Sequence, residues 1–158
     1  MKSGKTRRIF CICFFLAVLM AMPAFLSAET AELLEALLTT EAVNYEQAAM
    51  LVLEAADITG YSGPSDAFRF ASEQQWLPRN AAPGDQARLD GVSLLIMRSF
   101  DIQGGLFYSL AKSPHYAYRE MVHQNIIQGR ADPQMPVTGD LLLFMVNRVL
   151  SFQGSEDM

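Results

Sequence analysis

HYAYREMVHQNIIQGRADPQMPVTGDLLLFMVNRVLSF, residues His115 to Phe152, follows the same plan as SDAFRFASEQQWLPRNAAPGDQARLDGVSLLIMRSFDI, residues Ser65 to Ile102. Laid over each other without a gap, the two are identical at Ala67/Ala117, Arg69/Arg119, Gln74/Gln124, Ala81/Ala131, Pro83/Pro133, Asp90/Asp140 and Arg98/Arg148. Ordinary residue frequencies would give about two matches. Phe68/Tyr118, Trp76/Ile126, Leu77/Ile127, Val92/Leu142, Ile96/Val146 and Phe100/Leu150 stay apolar. Each copy reads as a helix, a polar turn containing proline, and a second helix. Helix pairs of this length cannot bury their apolar faces alone and must stack on a neighbour. Two similar hairpins in an ordinary helical domain are the alternative.

Upstream, NYEQAAMLVLEAADI opens with a capping Asn44 and carries Ala48, Leu51, Val52 and Ala55 on one face. It aligns with the second helix of the Ser65 unit, setting Glu46 over Asp90, Met50 over Leu94, Leu51 over Leu95 and Asp57-Ile58 over Asp101-Ile102. One helix type therefore recurs at 44–57, 88–101 and 138–151. The two later copies are apolar almost all round, which predicts helices surrounded by protein at the centre of the fold.

The connections follow from turn chemistry. Thr30 opens a run with Leu33, Leu34, Leu37 and Leu38 at helical spacing, which predicts a helix ending near Thr39. Ser65 or Asp66 is expected to cap a helix running through Gln75, and PRNAAPGDQ from Pro78 stops it. In the insertion QGGLFYSLAKSP, Gly104-Gly105 is read as the helix breaker, and Leu106, Phe107, Tyr108 and Leu110 as one apolar turn packed on the core. Gly129 suits the left-handed position that closes the next helix, Thr138 caps the last one, and residues 153–158 read as a frayed tail.

Residues 1–28 have a basic start (Lys2, Lys5, Arg7, Arg8), an apolar run from Ile9 to about Leu26, and small residues at Ser27 and Ala28. This is the pattern of a secretory leader. An uncleaved anchor is the alternative, since a run of about 18 residues lies at the short limit for spanning. Cys11 and Cys13, the two cysteines of the chain, both fall in this segment. The expected mature protein therefore has no disulfide, cysteine metal site or cysteine nucleophile.

Removing 28 of the 158 residues leaves 130, enough for one helical domain over 29–152, with units at about 44–102 and 103–152. The leader takes four of the twelve basic residues and none of the seventeen acids, so the net charge falls from −5 to −9. Such an acidic surface disfavours nucleic acid and anionic membrane as partners. Membrane contact is expected only if the leader stays attached.

The order helix, Ile126-Ile127, Gly129, Asp132-Pro133, Pro136-Val137-Thr138, then an apolar helix with Arg148 near its end, resembles the S-layer homology repeat. The likeness reaches back through the Ser65 unit to Asn44. It implies an all-α fold of tandem helix-turn-helix repeats packed as one small bundle. It also implies a non-catalytic role at the cell envelope, commonly through a wall polysaccharide. The family's binding signature, Thr-Arg-Ala-Glu at the start of the central helix, is met only in part. Val43-Asn44-Tyr45-Glu46 keeps the acid, Ala87-Arg88-Leu89-Asp90 keeps the Arg and a shortened acid, and Thr138-Gly139-Asp140-Leu141 keeps the Thr.

Arg88 and Asp90, with Glu46 and Thr138 at equivalent positions, form a candidate ligand groove where helix starts converge. An arginine there can hold an anionic sugar acid or phosphate through two parallel hydrogen bonds. Helix capping and a solvated charged face account for the same residues. Trp76 could stack on a sugar ring, although its counterpart Ile126 favours a core role. Phe107, Tyr108, Tyr116 and Tyr118 form a candidate partner patch, with packing over the groove between repeats as its alternative.

Glu120 and His123 have metal-ligand spacing, with His115 near, but spacing indicates no third ligand. No nucleophile elbow, phosphate loop or dinucleotide fingerprint occurs, so the residues make no case for an enzyme or a cofactor. The expectation is an exported protein, periplasmic or associated with the cell envelope, whose partner is wall glycan or an envelope protein. A protein-interaction or homo-oligomerising subunit without glycan binding is the alternative, and a small metal-dependent hydrolase the third class.

Overall fold

The structure, a computed structural model, describes residues 35, 38–129 and 131–156. The expected leader, and all but the end of the leading helix, lie outside the described residues. Every regular element in the described part is helical. In chain order these are α1 (Tyr45–Ala55), α2 (Pro64–Glu73), α3 (Leu89–Ser99), α4 (Leu106–Ala111), α5 (Pro114–His123) and α6 (Gly139–Glu156). The only extended pairings among the described residues are two isolated bridges, Asn44 with Gln86 and Arg88 with Pro136.

Those bridges belong to a closed ring of backbone hydrogen bonds. The Val43 N–H donates to the Val137 carbonyl at 2.9 Å, the Val137 N–H to Ala87 at 2.9 Å, and the Ala87 N–H to Val43 at 2.8 Å. The three residues are equivalent in the sequence alignment and fully buried. Their buried donors and acceptors have no water to turn to, so each segment satisfies the next. Flanking bonds repeat the pattern: Tyr45 N–H to Asp85 O, Leu89 N–H to Met135 O and Gly139 N–H to Thr40 O. The starts of α1, α3 and α6 are thereby pinned together.

Below the ring the three inner helices contribute matched layers. Ala48, Val92 and Leu142 form one and Val52, Ile96 and Val146 the next, all buried. On α1 the expected apolar face is met at Ala48 and Val52, whereas Leu51 and Ala55 are half-buried and Ala49 and Leu53 take the buried places beside them. The outer helices pack backward along the chain: α2 lies mainly on α1, α5 on α3, and α6 closes onto α1. The packed pair is thus an inner helix with the outer helix next in the chain. The helix-turn-helix read from the sequence repeat spans two such pairs.

Four helices end in the same way. Asp57, Gln75, Asp101 and Asn125 take left-handed backbone (φ 55°, 59°, 49° and 58°). The next N–H then reaches back to the last turn, as in Ile58 to Leu53 O, Trp76 to Ala71 O, Ile102 to Met97 O and Ile126 to Met121 O. This corrects several expectations. Asn125 closes α5, while Gly129 (φ 80°) serves the turn beyond it. Asp101 closes α3, so Gly104-Gly105 is not the breaker.

The start of α2 is Gly63 with Pro64 in the first turn and no side-chain cap, because Ser65 and Asp66 lie inside the helix. Asn44 and Thr138 do cap. Asn44 Oδ1 accepts from the Gln47 N–H at 2.9 Å, and Gln47 Oε1 accepts from the Asn44 N–H at 3.0 Å. Thr138 Oγ1 accepts a longer bond of 3.4 Å from the Leu141 N–H.

Two further expectations are overturned. Of the two helices expected to be enclosed, α3 is buried from Leu89 through Met97. On α6, however, Phe144, Asn147 and Leu150 face solvent. The last helix also continues through Glu156, past the expected tail boundary at Gln153. Ser151-Phe152 stands there in place of the Asp-Ile stop of α1 and α3.

Candidate functional site

The ring brings the start of α1 beside the start of α3, and between them opens a polar groove of ≈ 460 Å³ lined by Tyr45, Pro78, Asn80, Asp85, Arg88 and Asp90, among others. Arg88 is the residue before α3 and has extended backbone. That conformation lets its side chain fold back along the first turn. Its Nε donates to Asp90 Oδ1 at 3.2 Å and its Nη2 to Asp90 Oδ2 at 2.7 Å. Asp90 is nearly buried and sits in the first turn of α3, where the helix dipole favours a negative charge. The fork holds the Arg88 guanidinium above its ordinary value, so it remains a cation. Nη1 has no protein partner among the described residues, and the Arg88 side chain is 43% exposed.

Tyr45 completes the wall. It is buried, and its hydroxyl accepts from the Arg88 N–H at 3.4 Å. Burial pushes the phenol above its ordinary value of 10.0. Its ring end lies against Gly91 on α3, where a methyl group would overlap the hydroxyl. Gly91 therefore permits the close approach that shapes the groove.

Of the five candidate ligand residues, the groove unites Arg88 and Asp90. Glu46 turns to the next helix, accepting from Ser65 Oγ at 2.7 Å. Thr138 hydrogen-bonds Asp140. Because Val137 occupies Ala87's place in the ring, the third signature is Val137-Thr138-Gly139-Asp140. Thr138 then stands where Arg88 does and Asp140 where Asp90 does, a shift of one residue from the sequence reading. Trp76 lies elsewhere, edge-on to Phe70 at 5.8 Å, and lines a separate cavity of ≈ 550 Å³ with Arg98 and Lys112.

The candidate aromatic patch divides. Phe107 stacks on Tyr116 with centroids 5.9 Å apart, Tyr108 is buried, and the Tyr118 hydroxyl donates to the Ala131 carbonyl at 2.6 Å. Only Tyr108 of the expected apolar turn packs inward; Leu106, Phe107 and Leu110 are exposed. Glu120 of the expected metal pair is a loop anchor, its Oε2 accepting from the Gly105 N–H at 2.9 Å and its Oε1 from Gln124 Nε2 at 3.2 Å. Among the described residues no three His, Cys, Asp or Glu side chains come together in a metal-binding group.

Sequence reasoning missed Tyr45, Asn80 and Asp85 as groove residues. Tyr45 left a signal: it occupies the place of Leu89 and Gly139 in the other copies, and Gly91 interrupts an otherwise apolar helix opposite it. Asn80 and Asp85 left none, since they come from a turn whose course depends on the ring.

Compared with known proteins, the chain matches no family model, no curated sequence and no solved structure. Among the described residues no helix is long and apolar enough to cross a membrane.

Proposed function

We propose that this chain is an exported, non-catalytic module of S-layer-homology type that associates with the cell envelope by holding wall glycan or an envelope protein. What supports the reading is the backbone ring through Val43, Ala87 and Val137, which gathers three equivalent helix starts and sets the Arg88–Asp90 fork beside a polar groove. A charged guanidinium with one free edge, beside the N-terminus of α3, suits a carboxylate or phosphate on a sugar. The leader-like residues 1–28 support export to the periplasm or envelope.

Sedimentation with purified cell wall tests this. The protein is expected to pellet with wall, and Arg88→Lys, which keeps the charge but loses the fork, should weaken pelleting by about tenfold. A protein that stays fully in the supernatant rejects the glycan reading.

A second reading, a protein-interaction or oligomerising subunit without glycan binding, draws on the outer side of α6, where Phe144, Leu150 and Phe152 are each more than 40% exposed. Light scattering that shows a monodisperse monomer, with no partner crosslinked in cells, counts against it.

A further inference from the structure

The link from α1 to α2 runs from residue 55 to 64, whereas that from α3 to α5 runs from 99 to 114 and contains the added helix α4. The core uses little of this addition, since Tyr108 is the one buried residue of α4. Leu106, Phe107 and Leu110 are 72%, 66% and 78% exposed, the highest values among the large apolar side chains described. Leu106 and Leu110, four apart, share one helix face, and Phe107 stands about 100° round from Leu106, so the three span the side away from Tyr108. Phe107 stacks on Tyr116 of α5, extending the apolar surface.

The element is held in place from its inner side. Gly104 lies so close to the Tyr108 ring that any side chain there would collide with it. The Gly105 N–H is bound by Glu120 at 2.9 Å, and Gln124 Nε2 donates to the Gln103 carbonyl at 2.9 Å.

The local charge lacks the acidic excess of the whole chain. Around α4 the structure gathers Arg98, Lys112 and Arg119 against Asp101 and Glu120, with His123 beside them. Lys112 ends α4, and Arg119 lines a small cavity with Phe107 and Tyr116. The excess of acids that disfavours an anionic membrane for the expected mature chain is therefore absent from this corner.

We propose that α4 is a membrane-contact element: Leu106, Phe107 and Leu110 enter the interface of an anionic lipid bilayer while Lys112 and Arg119 meet its headgroups. An apolar face with a cationic rim is the arrangement that partitions into such interfaces. A protein partner fits less well. Stable protein complexes bury about 800 Å² per partner, well above what three side chains on a six-residue helix supply. A lipid interface needs no complementary pocket and accepts a small, reversible anchor.

The test uses the full chain with Trp76→Phe and Phe107→Trp, so that the one indole reports on α4. Vesicles of phosphatidylglycerol mixed with phosphatidylcholine should shift its emission to the blue and allow quenching by lipids brominated on the acyl chains. Lys112→Glu together with Arg119→Glu should weaken this response by more than about tenfold, since each cation near such a surface contributes about fivefold. Leu106→Ser with Leu110→Ser should also weaken it by more than about tenfold. Emission that stays at the water-exposed wavelength at saturating vesicle concentration overturns the proposal, even if the chain floats with lipid through its apolar residues 9–26. So does equal binding to phosphatidylcholine alone. A blue shift that precedes vesicle addition and rises with protein concentration also overturns it, in favour of a second copy of the chain.

Discussion

Fifty residues apart, α3 carries Ser93, Leu94 and Met97 where α6 carries Leu143, Phe144 and Asn147. The first three are buried, whereas Phe144 and Asn147 are exposed. Both helices begin at the same ring and put matched layers into the same core. They differ in the helix that succeeds each along the chain. Because each outer helix packs back on the inner helix before it, α2 covers α1 and α5 covers α3. Nothing among the described residues comes after α6 to do the same. Even the paired arginines diverge: the Arg148 guanidinium lies over the Phe144 ring at 5.7 Å, while Arg98, with Leu94 in place of that ring, lines the cavity beside Trp76. A repeat in sequence thus yields equivalent inner faces and unequal outer ones.

The sharpest test compares Met97→Ala with Asn147→Ala. The first empties a buried site and should cost about 2–5 kcal/mol, and the second should stay within about 0.5 kcal/mol, both read from urea unfolding. Equal losses would mean α6 is as enclosed as α3.

The Tyr45–Gly91 approach has no counterpart at the second junction, where Leu89 and Leu141 stand. Gly91→Ala should destabilise by about 1–3 kcal/mol through overpacking. Part of that loss should vanish in the Tyr45→Phe background, which removes the closest clash and leaves Tyr45 Cε1 and Pro78 Cγ at 3.0 Å from the added methyl; a double-mutant cycle measures the coupling.

The closures of α2 and α5 offer a smaller contrast. Gln75→Gly should stabilise by up to about 1 kcal/mol, because a β-carbon in left-handed backbone is strained, and Asn125→Gly by less, since Asn tolerates that region. Thermal melts would rank the two.

The smallest effect concerns Asp140, whose carboxyl lies below its ordinary value of 3.8 because Thr138 and then the Leu141 N–H hydrogen-bond it. A lowered folded value means the carboxylate stabilises the fold above 3.8 and loses that contribution as pH falls through the folded value. Thr138→Val should bring the value back towards 3.8, as read by a side-chain NMR titration.

Much of the helical plan was legible because 3.6-residue periodicity is local. The three inner helices came from it, the Asn44 and Thr138 caps from residue type at the helix starts, and the repeat offset of 50 from the paired identities. The endings were less legible. Asp101 and Asn125 adopt a backbone usually marked by glycine, so Gly104-Gly105 and Gly129 drew the assignment instead. Half of the groove was readable, as Arg88 and Asp90 lie two residues apart. Tyr45 and Asp85 reach it only because the ring brings distant segments together.

The sequence by itself determined an all-α chain with one inner helix written three times, since apolar spacing and capping chemistry act over a few neighbouring residues. Only the tertiary structure decided that the three helix starts share a ring, that α6 keeps an open side and that α4 turns its apolar face outward. Those outcomes depend on which segment satisfies another's buried N–H groups and which helix comes next to cover a face, and neither is encoded within a single turn of helix.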